Sequence, residues 1–228
     1  PIFHTSDGDT IVVTSTGDWD YTIQASDKSY GLKIYTFDSD NNVDIQQIEV
    51  MGQGQGFSVP GASSDATYSL SSWSHSLTAE SDGTGFWSTN HLTDENTGTY
   101  LTYHQRYSEV DGVYAAEPGL YFTSGNNQDV SHPHLYGSYI LGADSGGVYY
   151  SFSSSSESNF NDLFYYDVAS DQNITVFDSN AYGYSDRNEY KISGKDTDGD
   201  GINDQTVLQV TQKVDAYNGS GYVTEHRI

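Results

Sequence analysis

The chain has 228 residues, of which 8 are basic and 32 are acidic, so its formal net charge is −24. Aromatic side chains make up 14% of it, including 20 Tyr, and a disordered acidic chain lacks such residues, so we expect a folded protein. The charge argues against binding to nucleic-acid phosphates or to an anionic membrane surface, and the apolar runs are too short to cross a bilayer.

The chain contains no Cys, which rules out a disulfide or a thiolate metal site. It starts at Pro1 without an initiator Met or an apolar leader, and it stops at Ile228 soon after a strand-like segment. A signal peptide is therefore absent or already removed. We expect residues 1–228 to form a single domain excised from a longer chain.

Apolar and polar residues alternate with a period of two along much of the chain, which predicts β-strands. The pattern is clear at residues 11–13, 100–107, 148–152, 190–192 and 206–214. Turn clusters rich in Asp, Asn and Gly separate these runs, as at residues 6–9, 38–44, 94–98, 125–127 and 218–219. This arrangement predicts an all-β fold, an antiparallel β-sandwich or jelly roll with long loops.

The acidic turn at residues 38–44 places side-chain oxygens at alternate positions, on Asp38, Asp40, Asn42 and Asp44. Alternate oxygens can converge on a calcium ion, which takes about six to eight oxygen ligands. The turn has no Gly, however, and a solvated turn rich in Asp and Asn explains the same residues equally well. Both interpretations stay open.

Two tryptophans, Trp73 and Trp87, lie in strand-like sequence with a His close to each. An exposed indole ring offers a flat apolar surface on which a sugar ring can stack, whereas a Trp inside a β-sandwich packs in the core. We keep both tryptophans as candidate ligand contacts beside the core interpretation.

A third candidate contact is the segment that carries His132, His134 and Tyr136. Pro133 holds the backbone extended, so the two imidazoles point the same way. A zinc site would need a further ligand that the sequence does not locate, and ordinary loop histidines explain the pattern more simply. We retain the segment as the preferred ligand-contact loop.

Residues 158–170 depart from the strand pattern. Phe160, Leu163, Phe164 and Val168 recur at helical spacing after a serine that can cap a helix. The second half of the segment also has strand character. We predict one short helix here in an otherwise all-β chain.

The strongest motif is the pattern D-x-D-x-D-G-x-x-D at residues 196–204. Gly201 at position 6 permits a sharp turn. The expected calcium ligands are the carboxylates of Asp196, Asp198, Asp200 and Asp204 and the backbone carbonyl of Ile202. Position 12, which is a Glu in a helix-loop-helix site, is Val207 here, and strand-like sequence lies on both sides. The sequence therefore predicts a calcium loop between two strands.

The chain resembles the ligand-binding region of large calcium-dependent bacterial adhesins of the RTX type. The resemblance rests on the loop at residues 196–204 between strands, the lack of Cys, and an acidic composition rich in Asp, Gly, Ser and Thr. It implies an extracellular domain, dependent on Ca²⁺, that contacts a glycan or peptide on a target cell beside neighbouring domains of the same chain. The resemblance carries over no binding residues beyond the calcium loop.

Two other functions fit the same sequence. One is a secreted polysaccharide lyase or glycosidase on a jelly roll, in which Tyr and His act as acid and base. Residues 121–125 are faintly similar to the Tyr-Phe-Lys-Ala-Gly segment of alginate-lyase-like jelly rolls, but Thr123 replaces the Lys. The other is a structural stalk domain. No catalytic residue is assigned, because the sequence singles out neither a nucleophile motif nor a carboxylate pair, so a binding module is favoured over an enzyme.

Overall fold

The computed structural model describes residues 1–17, 29–51, 57, 59, 68–98, 100–125, 139–151, 162–178, 188–199, 203, 205–217 and 222–227. In these residues the chain forms β-strands and no helix, so the predicted all-β class is confirmed for this part. It follows that this part contains no helix long and apolar enough to cross a membrane.

The strands form four antiparallel sheets. Sheet A contains β1 (Ile2–His4), β2 (Thr10–Gly17), β3 (Tyr30–Phe37) and β4 (Val43–Met51). Sheet B contains β5 (Tyr68–Ala79), β6 (Gly85–Asp94), β7 (Tyr100–Val110) and β8 (Val113–Gly125). Sheet C contains β9 (Tyr139–Asp144), β10 (Gly147–Ser151), β11 (Leu163–Asp167) and β12 (Gln172–Phe177). Sheet D contains β13 (Asn188–Lys195), β14 (Gln205–Tyr217) and β15 (Tyr222–Arg227).

Each sheet is a meander, in which hydrogen-bonded neighbours are consecutive in the sequence. The turn clusters predicted at residues 6–9, 38–44 and 94–98 connect β1 to β2, β3 to β4 and β6 to β7. Asn, Asp and Gly suit these turns because they tolerate the conformations that a tight reversal requires. Local sequence therefore accounts for the pairing within each sheet.

Sheet B lies between two hydrophobic cores. Its strand β6 is buried on both faces, since Phe86 and Leu92 belong to one core and Trp87 to the other. Sheet A contributes to the first core Phe3, Ile11, Val13, Tyr30, Leu32, Ile34 and Met51. Sheet C contributes to the second core Ala143, Val148, Tyr150 and Tyr166. Successive side chains of a strand point to opposite faces, so bulky groups at odd and even positions let β6 serve both cores.

The helix predicted at residues 158–170 is wrong in its described part. Leu163–Asp167 form strand β11, which pairs with β10 on one side and β12 on the other, and residues 168–171 form a turn. Aromatic residues suit a pleated, half-buried surface, and two ladder partners outweigh the helical spacing of a short segment. Residues 158–161 lie outside the described residues.

Replacing Trp87 with Ala tests its place in the core. The side chain is 0% exposed, and we expect the change to lower the free energy of unfolding by about 3–5 kcal/mol, because truncation of a large buried ring leaves a cavity. Urea denaturation followed by circular dichroism measures the effect. The control Tyr100→Ala removes a ring that is 64% exposed and should change stability by no more than about 0.5 kcal/mol. Equal losses in the two variants contradict this packing role.

Candidate calcium loop and the three-turn seam

The predicted calcium loop joins β13 to β14, whose pairing runs from Asn188 and Gln212 to Lys195 and Gln205 at the mouth of the loop. Residues 196–199 and 203 of the loop are described. The expected ligands Asp200, Ile202 and Asp204 lie outside the described residues. The loop therefore closes a regular antiparallel ladder, as its flanking sequence predicts.

Asp196 organises the first half of the loop. Its Oδ1 accepts the backbone N–H groups of Asp198 at 3.2 Å and of Gly199 at 2.6 Å. Gly199 has φ = +84°, which a residue with a Cβ rarely adopts. The chain thus reverses within the first four positions while the carboxylate of Asp196 faces the interior of the turn.

The chemistry of the loop fits a hard cation. Its side-chain donors are carboxylates and it contains no His or Cys, which suits Ca²⁺ rather than Zn²⁺. A carboxylate oxygen has more than one lone pair, so the amide hydrogen bonds at Asp196 leave it able to bind an ion. Among the residues that the structure describes, no group of three or more His, Cys, Asp or Glu side chains is placed to hold a metal.

The second candidate loop, at residues 38–44, is held by hydrogen bonds from its own N–H groups to the carboxylate of Asp38. Oδ1 of Asp38 accepts the backbone N–H groups of Asp40 at 2.9 Å and of Asn42 at 2.8 Å, and its Oδ2 accepts Nδ2 of Asn42 at 2.8 Å. The hydrogen bonds from Asn42 hold the pKa of Asp38 below its usual value. These contacts are those of a turn built by Asp and Asn side chains, which was one of the two interpretations.

The other predicted contact residues are not brought together by the described part of the chain. Trp87 is buried between sheets B and C, where its Nε1 donates to the backbone oxygen of Asp144 at 3.4 Å. The indole ring of Trp87 is packed in the core, so neither of its faces is accessible for a sugar to stack on. The side chain of Trp73 and all of His132, His134 and Tyr136 lie outside the described residues.

The candidate calcium loop contacts the turn between β5 and β6. Nδ2 of Asn203 donates to the backbone oxygen of Ser81 at 2.8 Å, and Ser81 Oγ lies 2.8 Å from Oγ1 of Thr206. Gly194, on the opposite side of the loop, fits because it lacks a side chain: a Cβ there would lie 1.9 Å from the oxygen of Ser81. The strands on both sides of the loop therefore contact Ser81, β13 through Gly194 and β14 through Thr206.

The same turn also contacts the turn between β9 and β10. The N–H of Ser81 donates to the oxygen of Ala143 at 2.8 Å, and Oδ2 of Asp82 accepts the N–H of Ser145 at 3.1 Å. Three turns from sheets B, C and D thus converge. We call residues 80–84 and 143–147, together with Gly194, Asn203 and Thr206, the three-turn seam.

The carboxylate of Asp82 is held ionised within this seam. Burial alone raises its pKa, but hydrogen bonds from Thr84 and Ser145 outweigh burial and bring the pKa below its usual value. Thr84 donates to Oδ1 both from its backbone at 3.2 Å and from its hydroxyl at 2.8 Å. The ionised form of Asp82 therefore contributes to the stability of the folded state.

Glu80 and Arg106 anchor the turn to sheet B. Arg106 donates from Nε to Oε1 of Glu80 at 2.6 Å and from Nη2 to Oε2 at 2.8 Å, and it also pairs with Glu117. Burial raises the pKa of Glu80, with Arg106 opposing that shift. Both side chains of the pair are almost fully buried, so loss of one partner leaves an uncompensated charge.

A cleft of about 400 Å³ runs beside the seam, between β1, the β5–β6 turn and the base of the calcium loop. Its polar lining includes His4, Thr5, Asp82 and Asn203. A larger cleft of about 680 Å³ lies at the ends of β2, β3 and β4, lined in part by Tyr30. The smaller cleft adjoins the candidate calcium loop through Gly194 and Asn203.

Sequence reasoning predicted a calcium loop at residues 196–204, which stays a prediction, and it missed the seam. Asn203 and Ser81 are 122 residues apart, and no periodicity or spacing relates them. The only local signal was the cluster Ser-Asp-Gly-Thr at residues 81–84, which reads as one more acidic turn. Comparison with known proteins adds nothing to this, because no protein-family model, no curated protein and no solved structure matches the chain.

Asp82→Asn tests the electrostatic part of the seam. Since the pKa of Asp82 is lower in the folded chain, its contribution is complete above the unfolded value of about 3.9 and disappears as pH falls through the folded pKa. We expect the wild type to lose stability more steeply than the variant below about pH 4. Thermal unfolding at a series of pH values measures this difference.

The control Asp111→Asn removes one exposed carboxylate outside the seam and so makes the same change in net charge. It should keep the acid dependence of the wild type. An Asp82→Asn profile parallel to that of the wild type down to about pH 2 contradicts the role given to this carboxylate.

Proposed function

We propose that this chain is a calcium-stabilised extracellular binding module of a bacterial adhesin, which contacts a glycan or peptide on a target cell. The observation that carries the proposal is the loop at residues 196–204, which combines four Asp with a hairpin position between β13 and β14. Four neighbouring carboxylates repel one another, and a divalent cation removes that repulsion. The overall charge of −24 attracts the same cations.

The proposed scaffold is a β-sandwich formed by sheets A and B around their shared core, with sheet C on the second face of sheet B and sheet D in contact with β9 of sheet C. This is the architecture expected of an adhesin domain that presents loops at one end. We propose the cleft beside the seam as the location of the ligand, because its His, Asp, Asn and Thr side chains suit hydroxyl and amide groups. Weak contacts of this kind suffice where many copies act together.

The tyrosines weigh against the lyase alternative. In the described part of the chain, every Tyr whose pKa shifts has it raised, and burial is the main cause, as for Tyr107 and Tyr149, whose pKa values rise to about 12. A tyrosine that removes a proton near neutral pH needs a shift in the opposite direction. The net charge of −24 would also repel a polyanionic substrate.

Calcium should raise the melting temperature. An ion at about 100 times its dissociation constant adds about 2.7 kcal/mol to stability, which for a chain of this size corresponds to about 5–10 °C. Differential scanning calorimetry in millimolar Ca²⁺ and in excess chelator measures the shift. Asp198→Asn should abolish most of it, whereas Asp40→Asn, in the turn at residues 38–44, should leave it intact. An identical midpoint in calcium and chelator refutes the calcium loop.

Ligand binding should depend on the same ion. We expect a glycan array and a panel of peptides with free termini to give binders in Ca²⁺ that are lost in chelator, because the cleft adjoins the loop. Asp198→Asn should lose these binders as well. Binding that is equally strong in chelator separates the ligand site from calcium, and cleavage of a polysaccharide in the same assay favours the enzyme alternative.

A further inference from the structure

We propose that Glu80, Thr84 and Asp82 form a site that holds one proton in the folded chain near neutral pH. The proton resides on Glu80, and the hydroxyl group of Thr84 links that carboxyl group to the carboxylate of Asp82. Both acidic residues line the cleft beside the three-turn seam. All three residues belong to the described part of the chain, and the site does not depend on the calcium loop.

The hydroxyl group of Thr84 has fewer protons than its contacts require. Its Oγ1 lies 2.7 Å from Oε2 of Glu80 and 2.8 Å from Oδ1 of Asp82, and both distances are those of hydrogen bonds. A hydroxyl group donates one proton, whereas an ionised carboxylate only accepts. With both acids ionised, one of the two contacts joins two oxygens that have no proton between them. A proton on one of the acids supplies the missing donor.

Arg106 does not supply that donor. Its Nη2 donates to Oγ1 of Thr84 at 3.1 Å and to Oε2 of Glu80 at 2.8 Å. Both oxygens are acceptors in these bonds, so the guanidinium leaves the number of donors between Thr84 and the two acids unchanged. The hydroxyl oxygen of Thr84 has two lone pairs, which allows it to accept from Arg106 and from a protonated Glu80 together.

The surroundings place the proton on Glu80 rather than on Asp82. Glu80 is 3% exposed, and its burial raises its pKa although Arg106 opposes the shift. Asp82 is half-buried and accepts backbone N–H groups from Thr84 at 3.2 Å and from Ser145 at 3.1 Å, which stabilise its ionised form. A neutral Glu80 donates to Thr84, and Thr84 then donates to Asp82, so each short contact contains one proton.

The charges around the site favour the same assignment. Arg106 pairs with Glu117 as well as with Glu80, so two acids share one guanidinium. Asp82 adds a further negative charge, which raises the pKa of Glu80. With a proton on Glu80, the charge of Arg106 is balanced by Glu117 alone, and Asp82 remains the ionised acid of the site.

Two other titratable side chains belong to elements that pack against this turn. His4 on β1 lines the same cleft. Asp144 precedes the turn between β9 and β10, where its Oδ1 accepts the N–H of Gly146 at 3.0 Å and the hydroxyl group of Tyr165 at 2.7 Å. In the described residues neither side chain forms a hydrogen bond or ion pair with Glu80, so neither competes with Thr84 for its proton.

Infrared spectroscopy of protein that contains isotope-labelled glutamate observes this proton directly. The C=O stretch of a protonated carboxyl group is separate from the bands of ionised carboxylates, and the label distinguishes Glu from Asp. We expect a band of protonated Glu in the wild type at about pH 6, where an ordinary Glu is ionised. Glu80→Gln should remove that band.

Thermal unfolding at a series of pH values gives a second readout. Because the pKa of Glu80 is raised in the folded chain, its contribution to stability is complete below the unfolded value of about 4.3 and is lost as pH rises through the folded pKa. Glu80→Gln carries no titrating proton. Its melting temperature relative to that of the wild type should therefore rise by about 3–5 °C between about pH 5 and pH 8, whatever the difference is at pH 5.

Two variants of Thr84 test the link between the acids. Thr84→Ser keeps the hydroxyl group and should keep the infrared band. Thr84→Val removes the group that accepts the proton of Glu80, so that Glu80 ionises and the band at about pH 6 is lost. The control Glu95→Gln removes an exposed carboxylate outside the site and should match the wild type in both measurements.

All samples contain chelator, so the result is independent of the proposed calcium site. A band of protonated Glu that disappears in Glu80→Gln and in Thr84→Val supports the proton site. Absence of the band from the wild type, its survival in Glu80→Gln, or a constant difference in melting temperature between about pH 5 and pH 8 overturns the site. A band that survives in Thr84→Val overturns the part assigned to the hydroxyl group.

Discussion

Ser81 forms hydrogen bonds with two other sheets through its backbone N–H, its backbone oxygen and its hydroxyl. The N–H donates to Ala143 of sheet C, while the oxygen and the hydroxyl meet Asn203 and Thr206 of sheet D. A buried backbone group without a partner is costly, so these bonds specify one arrangement of the three turns. The sheets themselves are local meanders, and a meander of three or four strands needs a partner to cover its apolar face. The seam adds hydrogen bonds that hold sheets C and D at the β5–β6 turn of sheet B.

Acidic side chains in this chain have a structural use that does not involve an ion. Asp38, Asp94, Asp144 and Asp196 each accept backbone N–H groups within their own turns. A carboxylate there replaces the hydrogen bonds that the chain loses when it reverses direction. An acidic turn is for this reason a weak indicator of calcium by itself. The turn at residues 196–204 differs in its sequence, because it contains four Asp at the spacing of a calcium loop and a Gly at position 6.

Local pattern predicted much of the secondary structure. The alternation in residues 100–107 is confirmed, since Leu101, Tyr103 and Tyr107 all face the core shared with sheet A. The error at β11 arose because a short segment with Phe and Tyr satisfies helical and strand spacing alike, and its ladder partners decide between them. The three-turn seam was beyond prediction because it joins residues more than sixty positions apart by single hydrogen bonds, which leave no periodic signal.

Sheets A and C pack on opposite faces of sheet B, and different interactions hold each of them there. The face toward sheet A is an extended apolar core, whereas the opposite face carries polar pairs such as Thr89 with His104 and Thr102 with His91, at 3.1 Å each. In the described residues the core with sheet C is small and depends on Trp87. Apolar burial scales with area, so sheet C gains less from it than sheet A does. Hydrogen bonds at the seam therefore carry a larger share of the attachment of sheet C.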